Sequence, residues 1–314
     1  MSKHWAIISI GTNSTRVLLA DMAAEIPHVD LSRSIGSRIG EGLRERGHLG
    51  DEPMQRTLEA VRDHYRAVRG HYVRLYAIAT SALRRADNGD LFREAVHDAI
   101  GVPVHVLSGD DEASASYRGA ITVFGSLHSE EVGVIDTGGG STEYAIGAGH
   151  SPERTVSCEI GAVRLTEDVP LLAGRDGVVD LDTIARAREQ ARSALAPLAD
   201  FRKVGRLAFV GGSATTAAQV IFGKKTKMSR VELTRTDLQR ALVRLCALSY
   251  KERRELVGMK PHRADILPAG IIVLETALEL LGHDRATATT ADLLLGYLLQ
   301  QRDRQPLHAR AIPH

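Results

Sequence analysis

The stretch Val132-Gly133-Val134-Ile135-Asp136-Thr137-Gly138-Gly139-Gly140-Ser141-Thr142-Glu143-Tyr144-Ala145-Ile146 decides the fold. An apolar run ends in an acid, glycines turn the chain, and a second apolar run returns, the pattern of two strands paired around a tight turn. The N-terminus repeats the design. Trp5 to Ile10 is apolar, Gly11-Thr12-Asn13-Ser14 turns, and Arg16 to Asp21 resumes as Arg-Val-Leu-Leu-Ala-Asp. Two copies of one strand-turn-strand plan point to an internal duplication. Length agrees, because 314 residues exceed one comfortable core and suggest two domains with a cleft between them.

Outward from each hairpin, helices and strands follow. Met54 to Val68 has helical spacing at Leu58, Val61, Tyr65 and Val68, and Arg74 to Ala79 reads as a buried strand. Leu91 to Ile100 is a second amphipathic helix, and Val104 to Leu107 another strand. Ser108 or Asp110 then caps a helix whose first turn holds Asp111 and Glu112. In the second half a long helix is expected from Asp182 to Ala199. Leu207 to Val210 is a strand running into a third glycine turn, Gly211-Gly212-Ser213-Ala214-Thr215-Thr216. Helices are expected over Arg235 to Leu248, Pro268 to Leu281 and Ala291 to Gln301.

Hydrophobic residues at 43% and charged residues at 25% describe an ordinary globular protein and exclude disorder. With 40 basic and 39 acidic residues the net charge is +1, so no global field favours nucleic acid or an anionic membrane. An anionic substrate must be held locally. Cys158 and Cys246 follow no metal or redox spacing and are expected to stay reduced. The longest apolar helix candidate, Ala269 to Leu281, is interrupted by Glu275 and Glu279, and the N-terminus lacks signal-peptide features, so a soluble cytoplasmic protein is expected.

Glycine turns after buried strands let backbone N–H groups approach a phosphate closely, and three such turns could surround one phosphate chain. Taken singly, each reads more readily as a tight hairpin; the combination with carboxylates favours phosphate. Asp136 and Glu143 flank the triple glycine and could face one site as oxygen ligands for Mg²⁺; the alternative is a turn cap and a solvated strand residue. Glu112 lies beside Asp110 and Asp111, whose repulsion could raise its proton affinity toward that of a general base, or all three acids could simply favour a helix N-terminus. Arg84 and Arg85 follow a strand end, where an arginine fork could clamp phosphate oxygens. Lys224, Lys225, Lys227 and Arg230 form a basic cluster that could guide a polyanion or be a solvated loop.

Together these segments resemble the exopolyphosphatase and guanosine pentaphosphate phosphatase family, within the acetate kinase, actin and Hsp70 superfamily. The resemblance is carried by Ile10-Gly11-Thr12-Asn13-Ser14-Thr15-Arg16, Ala79 to Arg84, Ser108 to Ala113, Asp136 to Glu143, Gly161 to Glu167, Gly211 to Ala217 and Arg263 to Gly270, in order along nearly the whole chain. It implies an α/β fold of two actin-like (ribonuclease H-like) domains, each a mixed five-stranded sheet flanked by helices, with an interdomain cleft. The expected division is 1–126, completed by a C-terminal helix near 291–304, and 127–290.

The same resemblance implies metal-dependent hydrolysis of terminal phosphate from polyphosphate by an activated water. The alternatives are a guanosine pentaphosphate phosphohydrolase, a superfamily kinase and a non-catalytic polyphosphate or alarmone binder. Glu112 matches the proposed catalytic glutamate, and Arg84, a polar position facing the cleft, is the second catalytic candidate; Asp136 and Glu143 match the metal site for Mg²⁺ or Mn²⁺. Gly11, Thr12, Asn13, Ser14, Arg16, Gly138, Gly139, Gly140, Ser141, Thr142, Gly211, Gly212 and Ser213 are the expected phosphate contacts. A homodimer is also implied. One departure stands out: Ser9 occupies a position where the family usually carries Asp, so the first turn brings no acid, and the metal is expected mainly on the second.

Overall fold

The computed structural model describes residues 3–125, 130–223 and 230–304. Of the basic cluster only Arg230 falls within these ranges; Lys224, Lys225 and Lys227 lie outside the described residues. In the first half, β1 (His4–Ile10), β2 (Thr15–Asp21), β3 (His28–Ile35), β4 (Arg74–Ala79) and β5 (Val104–Val106) form a sheet in the order β3-β2-β1-β4-β5. The second half contributes β6 (Val132–Thr137), β7 (Thr142–Gly147), β8 (Arg154–Cys158), β9 (Arg206–Val210), β10 (Val231–Thr234) and β11 (Arg285–Ala288), in the order β10-β11-β9-β6-β7-β8.

Reversed, the second order reads β8-β7-β6-β9-β11, strand for strand the plan of the first sheet. β6 is antiparallel to β7 and parallel to β9, as β1 is to β2 and β4. The duplication is therefore present in the topology. The expectation of five strands in each sheet needs one correction: β10, antiparallel to β11, adds a sixth at the edge of the second sheet.

The helices are α1 (Leu43–Arg46), α2 (Asp51–Val68), α3 (Ser81–Arg85), α4 (Gly89–Ile100), α5 (Gly109–Ala120) and α6 (Ala162–Asp168). They continue with α7 (Leu181–Ala194), α8 (Gly211–Phe222), α9 (Arg235–Cys246), α10 (Tyr250–Arg254), α11 (Leu267–Leu280) and α12 (Leu293–Asp303). β1 sends Ala6, Ile8 and Ile10 to a core with α2 and α4, and Trp5 and Ile7 to a core with α12. A strand covered on both faces is apolar at nearly every position, which is why Trp5 to Ile10 shows a run, broken only by the buried Ser9, and not an alternation. β6 behaves alike: Ile135 packs with α7, α9 and α11, while Val132 and Val134 pack with Ala113, Tyr117 and Ala120 of α5.

α5 and α12 thus lie between the two sheets, α12 on the first and α5 on the second. Their close crossing needs glycine. A Cβ on Gly296 would stand 1.7 Å from the Ala115 carbonyl oxygen, and one on Gly119 would stand 2.3 Å from that of Asp292. This layer fixes the first turn of α5, with Glu112, between the sheets.

Two local readings also change. The long helix expected from Asp182 to Ala199 ends at Ala194, and Ala196–Asp200 forms a 3₁₀ turn with Pro197, which cannot donate to a continuing helix. The third glycine turn is no turn: Gly211 and Gly212 open α8 directly from the end of β9. Among the described residues no helix is long and apolar enough to cross a membrane. Cys158 and Cys246 are free and buried.

Candidate active site

The two hairpin turns close in the same way. The Gly11 N–H donates to the Ser14 carbonyl at 3.1 Å, and the Gly138 N–H donates to that of Ser141 at 3.0 Å. The tips then interlock across the gap between the sheets: a Cβ on Gly139 would lie 3.0 Å from the Thr12 Cβ, and one on Gly140 would lie 2.7 Å from the Ser81 Oγ. None of Gly138, Gly139 and Gly140 has a positive φ, so these glycines serve close approach and not handedness. Gly211 differs, with φ of 89°, and a Cβ there would meet an Asp136 carboxylate oxygen at 2.6 Å.

Behind the tips three carboxylates converge from β6, β7 and α5. Asp136 and Glu143 are direct register partners across the hairpin, so they share one face of the sheet, the face that α5 covers. α5 begins at a capping box in which the Ser108 Oγ accepts from the Asp111 N–H at 3.1 Å and the Asp111 carboxylate accepts from the Ser108 N–H at 3.3 Å. Asp110 accepts from the Thr155 hydroxyl. Glu112 is left to turn inward, 6% exposed, where the Arg84 guanidinium donates to it at 2.5 Å and to the Leu107 carbonyl at 2.6 Å.

Burial pushes Glu112 up to about 7; the Arg84 guanidinium pulls the other way, and the Asp136 and Glu159 charges add to the rise. The sequence expectation that Asp110 and Asp111 perturb Glu112 is thereby corrected: those two are spent on local hydrogen bonds, and desolvation leads. Burial likewise raises Asp136 to about 6, against a 2.5 Å hydrogen bond from the Ser116 hydroxyl. Glu143 is raised well above the usual carboxylate range, first by burial and then by Glu112 and Asp136, with the Ser141 and Ser157 hydroxyls opposing.

Cations close the other end. Arg16 is bonded to Asp292, the cap of α12, at 2.5 Å. Arg263 is buried beside Gly212, where a Cβ would come within 1.8 Å of a guanidinium nitrogen. Its proton affinity falls to about 10 through burial and the neighbouring Arg16, while Asp136 and Asp265 oppose the fall. Lys260, at the head of the same turn, is lowered to about 8 by burial, Arg263 and Arg16.

Of the residues expected at the site, Asn13 is buried with its side-chain amide nitrogen unpartnered, and Thr12 meets Gly139 and Gly140. Ser14 is buried at the first turn and Ser141 at the second. The Thr142 hydroxyl is committed to the Ile160 carbonyl at 2.6 Å, which makes it part of the scaffold. Ser213 is directed at Gly270 of α11, whose Cβ would meet its hydroxyl at 2.7 Å. Sequence reasoning passed over Lys260, Ser116 and Asp292 and did not single out Arg263; of these only Arg263 lay within a stretch that carried the resemblance.

Among the described residues no three or more His, Cys, Asp or Glu side chains are drawn together tightly enough to hold a metal ion by themselves. The oxygen-only, mutually repelling, buried pair Asp136 and Glu143 suits a hard cation that takes one or two carboxylates and completes its shell from phosphate and water, the habit of Mg²⁺.

The chain is 33% identical to exopolyphosphatase 2 of Mycobacterium tuberculosis over 94% of this chain and 97% of that protein. It is 29% identical to the guanosine-5'-triphosphate,3'-diphosphate pyrophosphatase of Vibrio atlanticus over 98% of this chain, but spans only 62% of that protein's length. With the bifunctional 3-dehydroquinate synthase/phosphatase of Fusobacterium nucleatum it shares 28% identity over 94% of this chain, spanning 46% of that longer protein. The crystal structure of an exopolyphosphatase from Cytophaga hutchinsonii superposes with a TM-score of 0.83 at 25% identity, covering 96% of this chain and 98% of that one. Residues 20–300 match the model of the Ppx/GppA phosphatase family, whose duplicated actin-like architecture is the one described here, and the chain belongs to that family.

Proposed function

We propose that the chain is an exopolyphosphatase that hydrolyses the terminal phosphoanhydride bond of inorganic polyphosphate. The observation that carries this reading is Glu112: a buried carboxylate poised near neutrality, oriented by Arg84 and set opposite the Asp136–Glu143 pair. A base of that strength suits proton abstraction from water at physiological pH.

In this mechanism the backbone N–H groups of the two interlocked turns and the Asn13 amide hold the terminal phosphoryl oxygens. Glu112 takes a proton from a water whose oxygen bonds to phosphorus as the bridging P–O bond breaks. Arg84 keeps the carboxylate aimed and stops it from protonating too early. Asp136 and Glu143 would hold Mg²⁺, or Mn²⁺, which when bound neutralises phosphate charge and orients the reacting groups. Proton affinities raised by crowding of like charges are what such a cation relieves.

Polyphosphate is favoured over the pentaphosphate nucleotide because the exopolyphosphatase relative is the more similar of the two, at 33% against 29% identity. Hydrolysis is favoured over kinase chemistry by Glu112 itself. The test is turnover of polyphosphate with Mg²⁺ in isotopically labelled water, with guanosine pentaphosphate run in parallel. The expected product is orthophosphate carrying one labelled oxygen, released faster from polyphosphate. Unlabelled transfer to an added acceptor would establish a kinase, and faster release from the nucleotide would transfer the assignment to that substrate.

A further inference from the structure

Two cations on one short turn, Lys260 and Arg263, make no ion pair with any described residue; Asp136 and Asp265 act on Arg263 from beyond contact distance, and Asp265 is itself paired with Arg38 and Arg175. The buried arginines among the described residues are Arg118, Arg253 and Arg263. Arg118 pairs with Asp303, and Arg253 donates to the carbonyls of Leu245, Leu172 and Ala173. Arg263, 8% exposed, makes neither ion pair nor hydrogen bond through its side chain with any described residue, and its Nε is fully enclosed and unpartnered. Lys260, three residues earlier and partly buried, also has no side-chain partner among the described residues; the charges that act on it are Arg263 and Arg16, which repel it, and Asp292. The Asp292 carboxylate is already engaged by Arg16 at 2.5 Å. Uncompensated positive charge in a semi-enclosed site is costly, and an anion removes the cost.

The chain makes room for this arrangement, since Gly212 leaves open the space that the Arg263 guanidinium fills. Position along the cleft indicates which anion fits. A Cβ on Gly211 would meet an Asp136 carboxylate oxygen at 2.6 Å and one on Gly212 would meet the Arg263 guanidinium at 1.8 Å, so the head of α8 sets Asp136 beside that cation, while Arg84 holds Glu112 on α5. The base therefore lies at one end, Asp136 between, and the unpaired cations at the other. In-line phosphoryl transfer places the attacking and leaving oxygens at opposite ends of such a line.

We propose that Lys260, with Arg263, forms a second phosphate subsite that binds the phosphate on the leaving side of the scissile bond. The proposal rests on the phosphohydrolase reading. As the water oxygen bonds to the terminal phosphorus and its proton passes to Glu112, the bridging oxygen keeps the electron pair of the broken P–O bond, and the two cations meet the charge it leaves on the shortened chain. The ligand class is a chain of at least two consecutive phosphates. Orthophosphate occupies only the terminal site.

Equilibrium binding of tripolyphosphate and of orthophosphate to the full chain, read by calorimetry for the parent, Lys260→Met and Lys260→Arg, tests this without requiring turnover. The expected result is tripolyphosphate affinity weaker by about tenfold or more in Lys260→Met, restored to within about threefold in Lys260→Arg, with orthophosphate affinity changed less than about twofold. The unliganded Lys260→Met protein should melt no lower than the parent, because a buried, unpaired charge has been removed. Equal tripolyphosphate affinity in parent and Lys260→Met, equal losses in the two variants, or a parent that does not bind tripolyphosphate would overturn the subsite. A parent that binds with these differences but releases no phosphate overturns the hydrolase and leaves the subsite standing.

Discussion

At Glu112 two forces oppose each other: burial raises the carboxylate to about 7, and the Arg84 guanidinium at 2.5 Å holds it down. Replacing Arg84 with Met removes the second force, so the acid limb of the kcat/KM profile should move to higher pH and activity at neutrality should fall; an unmoved limb would show that Arg84 does not tune the base. Gly212→Ala should act at the other end by displacing the Arg263 guanidinium, which a Cβ would approach to 1.8 Å. Its expected signature is a KM for polyphosphate raised by about tenfold or more while the protein stays folded. Glu112 itself was legible in the sequence as an acid in the first turn of a helix. The origin of its perturbation was not, because the burial that leads it and the charges of Arg84, Asp136 and Glu159 come only with the fold. The role of Arg263 was hidden for the same reason: the chain brings it to Asp136 from more than a hundred residues away.

Among elements, the hairpins were readable because β1 and β6 are covered on both faces and so write uninterrupted apolar runs between glycine tips. β3 and β8 escaped notice as partly exposed edge strands with sequences His-Val-Asp-Leu-Ser-Arg-Ser-Ile and Arg-Thr-Val-Ser-Cys. β10 and β11 are four residues each and carry too little pattern to read. The α5–α12 crossing is the element on which the position of Glu112 depends. Gly296→Ala forces a methyl against the Ala115 carbonyl, and overpacking of this kind costs about 1–3 kcal/mol. A thermal midpoint lower by several degrees, with activity lost in parallel, is the expected result; an unchanged midpoint would mean that the two helices yield easily. Ser108→Ala should cost about 1 kcal/mol through the lost cap, measurable by denaturant titration.

For the whole molecule, the site carboxylates couple stability to pH. Asp136, ordinarily near 3.8, is raised to about 6, and Glu112, ordinarily near 4.5, to about 7, so the folded chain holds protons that the unfolded chain releases in that window. Their contribution is fully present below the unfolded values and is lost as pH rises to about 7. The unliganded protein should therefore lose part of its thermal midpoint across that range. Added Mg²⁺ should restore more of it at about pH 8 than at about pH 5, because the cation and the protons compete for the same carboxylates. An equal effect of Mg²⁺ at both pH values would remove Asp136 and Glu143 as its ligands. On the proposed function, the duplicated sheets, the helix layer between them and the interlocked turns serve to set one buried glutamate against a phosphate held at the tips. The most direct measurement is phosphate release from polyphosphate with Mg²⁺ by the parent and by Glu112→Gln. A fall in kcat of about a hundredfold or more, with KM little changed, is the predicted result, and equal rates for the two proteins would contradict it.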